Sequence, residues 1–186
     1  MRTATIVTTL CVIGLLTALG YVLLTPVGLQ NCPDIDLASI NGKRLQLSSY
    51  RGRPLLVTFW ATTCPTCLRE MPHLIELYNE LQPQGLEIIG IAMAHDPPSQ
   101  VLAVSKARQI PYPIALDIDA SAAQAFGDVR LTPTSFLIAP DGRVVFQTTG
   151  GMDLRRLRKD IIGMLTSATA ALPAGTTQAL LGVNRP

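Results

Sequence analysis

Residues 55–72 read LLVTFWATTCPTCLREMP, and the fold turns on them. Leu55 to Trp60 is a short apolar run, the pattern of a central strand covered on both faces. Behind it, Cys64-Pro65-Thr66-Cys67 leads into Glu70–Leu81, where Leu74, Leu77, Tyr78 and Leu81 recur at helical spacing. That helix extends back to Pro65, and Pro72 predicts a kink in it. A Cys-x-x-Cys pair between a buried strand and a helix is a redox signature. The helix N-terminus offers free N–H groups and partial positive charge, which favours a thiolate at Cys64. Cys67, nearly one turn further in, is the more buried, resolving thiol. Half of a zinc site and a pair of inert thiols share the spacing. Zinc needs two further ligands, however, and His73 and His95 stand at no recognised spacing, so no metal is expected.

On the N-terminal side, Asp34–Leu37 and Arg44–Leu47 flank Asn41-Gly42, a hairpin-turn pair. On the other side, Leu86–Ala92 is a second apolar strand. Asp96 followed by Pro97 predicts an N-cap and first-turn proline for a helix towards Arg108. Pro113–Leu116 reads as a strand, and Asp119 as the cap of an Ala-rich helix ending at Gly127. Ser135–Ala139 and Arg143–Gln147 surround the turn Pro140-Asp141-Gly142. Asp153 caps a last helix with Leu154, Leu157, Ile161 and Leu165 on one face. The strands and helices alternate into a mixed sheet with helices on both faces, an α/β domain of the thioredoxin kind.

The rest of the composition is uneven. Of the 186 residues 15% are charged, below the usual quarter, and mean hydropathy is +0.33. No charged residue lies between Arg2 and Asp34. Ala4–Leu24 is long enough, as a helix of roughly 31 Å, to cross a bilayer's hydrocarbon core. Arg2 before it and Asp34 and Asp36 after it place the N-terminus inside and the domain outside. It reads as an uncleaved anchor, because Val22–Leu24 continue past the small residues Ala18-Leu19-Gly20 that a signal peptidase favours. The expected organisation is an anchor over 1–25, a linker over 26–33, the folded domain over 34–165 and a loosely ordered tail over 166–186. The 15 Lys and Arg nearly balance 13 acids and form no phosphate-binding stripe, so no nucleic acid is expected. Arg155, Arg156, Arg158 and Lys159 read as the solvated face of the last helix. Cys11 is a small hydrophobe within the apolar run. Cys32 reads as an incidental thiol, with lipidation or an intermolecular disulfide as alternatives.

Phe59-Trp60-Ala61-Thr62-Thr63-Cys64-Pro65-Thr66-Cys67-Leu68-Arg69-Glu70-Met71-Pro72 resembles the active-site stretch of the TlpA, ResA and CcmG family. These are membrane-tethered, thioredoxin-fold oxidoreductases outside the bacterial cytoplasm. The resemblance runs from about Asp34 to Leu165. Asn41-Gly42-Lys43 and Leu47-Ser48-Ser49-Tyr50-Arg51-Gly52 match the family's lead-in. Leu131-Thr132-Pro133-Thr134-Ser135-Phe136-Leu137-Ile138 matches the strand behind its cis-proline, and Asp141-Gly142 its hairpin. What it implies is a thioredoxin fold with an N-terminal β-hairpin and a central βα insertion, preceded by one transmembrane helix. Cys64 attacks a substrate disulfide and Cys67 resolves the mixed disulfide. Trp60, Pro65, Thr66, Thr132 and Pro133 form the substrate-binding face, with Thr132–Pro133 cis. Glu70, three residues after Cys67 on the same helical face, accepts the Cys67 proton, or is a solvated carboxylate. Two departures stand inside the matched stretch. Thr63 replaces a common tryptophan, and Thr58 stands where thioredoxin has a buried aspartate.

The implied function is a thiol–disulfide oxidoreductase acting as a reductant, with no cofactor beyond its own cysteine pair. The expected setting is the periplasm or outer face of the inner membrane, as a monomer fed by a thiol donor of the DsbD or CcdA type. Expected substrates are apocytochrome c or cysteines of copper-site proteins in oxidase assembly. An oxidase or isomerase uses the same cysteines with another redox balance. A copper-binding assembly module is disfavoured, because two residues rather than three separate the cysteines and no histidine follows His95. A peroxiredoxin is disfavoured by Ala61, where a threonine belongs.

Overall fold

A computed structural model describes residues 12–17 and 31–170, with side chains to residue 167. Asn41-Gly42 turns the chain between β1 (Asp36–Ser39) and β2 (Arg44–Gln46), which pair antiparallel. Gly42 takes φ +78° there and donates its N–H to Ser39 O at 2.9 Å. This is the left-handed conformation in which a side chain is costly. A 3-10 turn, Leu47–Tyr50, leads to β3 (Leu55–Trp60), whose six residues are all buried. Then come α1 (Pro65–Leu81), β4 (Glu87–Ala92), α2 (Pro98–Ala107), β5 (Ile114–Leu116) and the short α3 (Ser121–Ala125). The chain closes with β6 (Thr134–Ile138), β7 (Val144–Thr149) and α4 (Leu154–Ala170).

All seven strands form one sheet in the order β2-β1-β5-β4-β3-β6-β7. β3, β4 and β5 run parallel, while β6 lies antiparallel to β3 and β1 antiparallel to β5. The β1–β2 hairpin precedes β3, and α2, β5 and α3 lie between β4 and β6. Alternation along β3 divides the core into two layers. Leu56 and Trp60 pack with α1, α2 and α4, through Met71, Leu74, Leu77, Val101, Leu157 and Ile161. Leu55, Val57 and Phe59 pack on the other face with Phe126 and Phe136. Phe59, Phe126 and Phe136 meet there at centroid distances of 4.9–6.1 Å.

Three local expectations are corrected. Asp96 does not cap α2: the N-cap is Pro97, with no side-chain cap bond, and the first-turn proline is Pro98. The N-cap of α3 is Ala120, with no side-chain cap bond, rather than Asp119; the Asp117 carboxylate accepts from the N–H groups of Ala122 and Ala123, both at 2.9 Å. Asp119 instead closes a turn on Ser121. The last helix, capped by Asp153 through Arg155 and Arg156, continues past Leu165 to Ala170. The loose tail expected from residue 166 is therefore helical over its first residues.

The expected anchor lies outside the described residues except for a helical stretch at 12–17. Among the described residues no helix is long and apolar enough to cross a membrane. The chain enters the domain through a bridge between Asn31 and Arg143, with Cys32 N–H donating to Gly142 O at 2.9 Å. This entry sits at the β6–β7 turn, where Ile138 pairs with Leu55 at the N-terminal end of β3. Cys64 follows the opposite end. Six residues of strand put about 20 Å between the two poles.

Candidate active site

Because β3, β4 and β5 are parallel and β6 is not, the loops after three strands and before the fourth converge at one end of the sheet. Cys64 sits there as the N-cap of α1, with Pro65 at the first helical position. Proline suits that position because its missing N–H is one the helix cannot use anyway. Cys64 and Cys67 are joined in a disulfide with Cα atoms 5.3 Å apart. The Cys67 N–H points at Cys64 Sγ, 3.2 Å away, and the Leu68 N–H donates to Cys64 O at 3.1 Å. An N–H aimed at the sulfur, added to the positive end of the helix, favours negative charge there once the pair is reduced. Cys64 is 9% exposed and Cys67 5% exposed, so both lie in the core and Cys64 is the slightly more accessible of the two.

The Thr132–Pro133 peptide is cis. It brings Thr132 O within 3.4 Å of Cys64 Sγ, although 68 residues separate the two in sequence. The Gly150 N–H donates to Pro133 O at 2.8 Å and ties this loop to the segment before α4. Pro65 is exposed and Thr66 and Thr132 half-exposed around the sulfur, while Pro133 is buried. Trp60, expected on the substrate-binding face, is instead 3% exposed. Its indole lies over Gly90 of β4, where a Cβ would sit 3.2 Å from Trp60 Nε1 and 2.7 Å from Ile114 Cδ1. A strand buried on both faces carries no sign of which way its last side chain turns, and Trp60 turns into the core beneath α1.

Glu70 Oε1 accepts from the Met152 N–H at 2.6 Å, in the segment before α4 whose Gly150 N–H donates to Pro133 O. Burial raises the Glu70 pKa; the Met152 hydrogen bond and the nearby Arg69 and His73 work against that shift. Thr58 pairs with Ser135 across β3 and β6, and Ser135 Oγ donates to Thr58 Oγ1 at 2.8 Å. The buried-aspartate position of thioredoxin is thus filled here by a neutral, hydrogen-bonded hydroxyl.

Two residues of the site were not anticipated. Asp96, 7% exposed, accepts from Thr62 N–H at 2.5 Å and from Thr62 Oγ1 at 2.9 Å, two residues before Cys64. Arg108, at the end of α2, donates to the Leu68 carbonyl of α1 at 2.9 Å. The first had no sequence signal, since Asp-Pro reads as a helix start. The second had one, because Pro72 leaves the carbonyl four residues before it without its helical partner.

Cys32 is half-buried at the opposite pole, and burial pushes its thiol up to about 11. Arg158 pairs with Glu80 of α1, and Arg156 lies over the Phe146 ring, so part of the basic face of α4 is engaged. No cluster of potential metal ligands occurs among the described residues.

Comparison with known proteins places these features. The redoxin family model matches residues 27–161. The chain is 33% identical over 146 residues to the thiol-disulfide oxidoreductase ResA of Bacillus subtilis (strain 168), covering 74% of this chain and 80% of that protein. It is 32% identical over 161 residues to the thiol-disulfide oxidoreductase ResA of Geobacillus thermodenitrificans (strain NG80-2), covering 82% and 91%. A thioredoxin-family thiol:disulfide interchange protein from Chlorobium tepidum TLS superposes with a TM-score of 0.67. At 24% identity, over 76% of this chain and 99% of that one, this likeness speaks for the fold alone.

Proposed function

The chain belongs to the redoxin family as a ResA-type thiol–disulfide oxidoreductase, and from this we propose that its Cys64–Cys67 pair reduces disulfides of extracytoplasmic proteins. The observation that carries the mechanism is the Cys64–Cys67 disulfide at the start of α1, with Cys64 Sγ beside Thr132 O and the cis-proline. In the reduced state the Cys64 thiolate attacks one sulfur of a substrate disulfide. The substrate S–S bond breaks, a Cys64–substrate disulfide forms, and the departing substrate sulfur takes a proton. Cys67 then loses its proton and attacks Cys64 Sγ, releasing the second substrate thiol and leaving the intramolecular disulfide. Two electrons pass to the substrate in one cycle, with no cofactor. Pro65 and Thr66 border the attacking sulfur, and the backbone of Thr132, turned by Pro133, pairs with the substrate chain.

Glu70 is the acceptor of the Cys67 proton. Its desolvated carboxylate gains from taking up a proton, and the Met152 amide fixes one of its oxygens on the face that α1 shares with Cys67. Glu70→Gln is expected to flatten the pH dependence of the resolving step; an unchanged profile for both exchange steps refutes this role.

The uncharged stretch Ala4–Leu24 supports an inner-membrane anchor, with the domain in the periplasm or at the outer cell face. Entry of the chain at the pole opposite Cys64 would then turn the redox pair away from the bilayer. Reducing equivalents in such a compartment come from a membrane thiol donor of the DsbD or CcdA type, and the substrates are apocytochrome c or copper-site cysteine pairs. The test is the equilibrium potential of the pair in glutathione or dithiothreitol buffers. A value near thioredoxin's, about −270 mV, is expected of a reductant, whereas one near DsbA's, about −120 mV, makes the protein an oxidase.

A further inference from the structure

The first turns of α1 contain a gap that Pro72 creates. Proline has no N–H, so the Leu68 carbonyl, four residues earlier, has no i+4 amide to accept from, and the proline ring crowds it. Leu68 directly follows Cys67, and its own N–H holds Cys64 O. A neighbouring helix fills the gap: Arg108, the residue that ends α2, places Nη1 2.9 Å from Leu68 O. Its backbone is held by an N–H bond to Val104 O at 3.0 Å. Among the described residues Arg108 enters no ion pair, so the guanidinium brings an unneutralised charge to the carbonyl.

We propose that Arg108 is a positioning residue of the redox pair: it replaces the amide missing at Pro72, holds the Leu68 peptide, and places a positive charge beside the turn on which Cys64 and Cys67 ionise. The proposal rests on Cys64–Cys67 being the reacting pair. Its consequence falls on one side of the redox equilibrium. The disulfide is neutral and gains little from a nearby cation, whereas a thiolate of the reduced pair is stabilised by it. Arg108 therefore favours the reduced form, and removing its charge shifts the equilibrium towards the disulfide. An exposed cation acting through solvated protein on a group at a helix end corresponds to about a threefold change in that constant.

The experiment equilibrates the full chain in glutathione redox buffer at about pH 9, where cysteine thiols ionise, and reads the oxidised fraction of Cys64–Cys67 by alkylation and mass spectrometry. Arg108→Gln is expected to move the constant about threefold towards the disulfide, and Arg108→Lys, which keeps the charge, to stay within about 1.5-fold of wild type. Pro72→Ala restores the intrahelical partner of Leu68 O, and in that background Arg108→Gln is expected to shift the constant by less than about 1.5-fold. Three results overturn the proposal: a wild-type constant in Arg108→Gln, equal shifts in the Gln and Lys variants, or an undiminished shift beside Pro72→Ala. Failure of the wild-type pair to exchange with glutathione at all refutes instead the assignment of Cys64 and Cys67 on which the proposal stands.

Discussion

Replacing Asp96 tests how the turn before the attacking cysteine is held. The buried carboxylate makes two bonds to a single residue, accepting from Thr62 N–H at 2.5 Å and Thr62 Oγ1 at 2.9 Å. Bonds to an ionised acceptor each contribute about 1.5–3 kcal/mol net, and a buried N–H left unpaired costs about 1–3 kcal/mol. Both bonds share one carboxylate and Thr62 is half-exposed, so water recovers part of the loss. Asp96→Ala is accordingly expected to cost about 3 kcal/mol, or about 10 °C in melting temperature for a domain of this size. Asp96→Asn behaves differently. Its Oδ1 accepts from Thr62 N–H while Nδ2 donates to Thr62 Oγ1, and the hydroxyl proton turns to Gln100 Oε1, already 3.4 Å away. Both contacts survive without the charge, so the expected cost falls to about 1 kcal/mol. Guanidinium unfolding of the oxidised chain measures both variants. Asp96→Ala within about 0.5 kcal/mol of wild type, or Asn as damaging as Ala, would refute the latch.

Two further outcomes follow from the titrating groups. With its thiol pushed up to about 11 from 9.0, Cys32 holds about a hundredth of the thiolate of an ordinary cysteine at pH 8. The greater nucleophilicity of a more basic thiolate returns about tenfold, so iodoacetamide should label the Cys32 peptide about tenfold more slowly than free cysteine; equal rates contradict the burial. The raised pKa of Glu70 means that the folded chain binds this proton more tightly than the unfolded chain does. Stability from this group is therefore lost as pH rises from the ordinary carboxylate value, about 4, through the folded one. Glu70→Gln, which keeps an acceptor for Met152 N–H, should be at least as stable as wild type at pH 7, with the difference closing near pH 3. A wild-type advantage that grows with pH would show that the sign is wrong.

The elements that could be read in advance are those whose signals are local. The strand Leu55–Trp60 and the helix Pro65–Leu81 form with the expected ends. Spacing defines that helix, and an N1 proline marks its start. Asn41-Gly42 and Asp141-Gly142 turn where they should, since Gly42 and Gly142 both adopt left-handed φ. The errors fall where a local rule met a distant partner. Asp96 obeys the capping pattern in sequence, yet its carboxylate is drawn to Thr62, 34 residues away, where two donors converge. Asp117 reaches α3 from four residues upstream because the chain leaves β5 pointing at that helix's free N–H groups. Trp60 was misplaced because a fully buried strand gives no polar face from which to read its parity.

From the sequence alone follow the redox pair, its place at a strand-to-helix junction, the two hairpins and the likeness to a family. Each of these depends on residues within about one turn of one another, or on a motif matched as a string. Tertiary structure alone decided which distant groups meet at the sulfurs. Beyond Thr132 beside Cys64, which the likeness to a family implied, Met152 N–H on Glu70, Asp96 on Thr62 and Arg108 on Leu68 O all join separate segments through the strand order. The parallel run of β3, β4 and β5 beside an antiparallel β6 gathers those segments at one end of the sheet. Local propensity carries no information about that order, because it is set by which buried faces pack together.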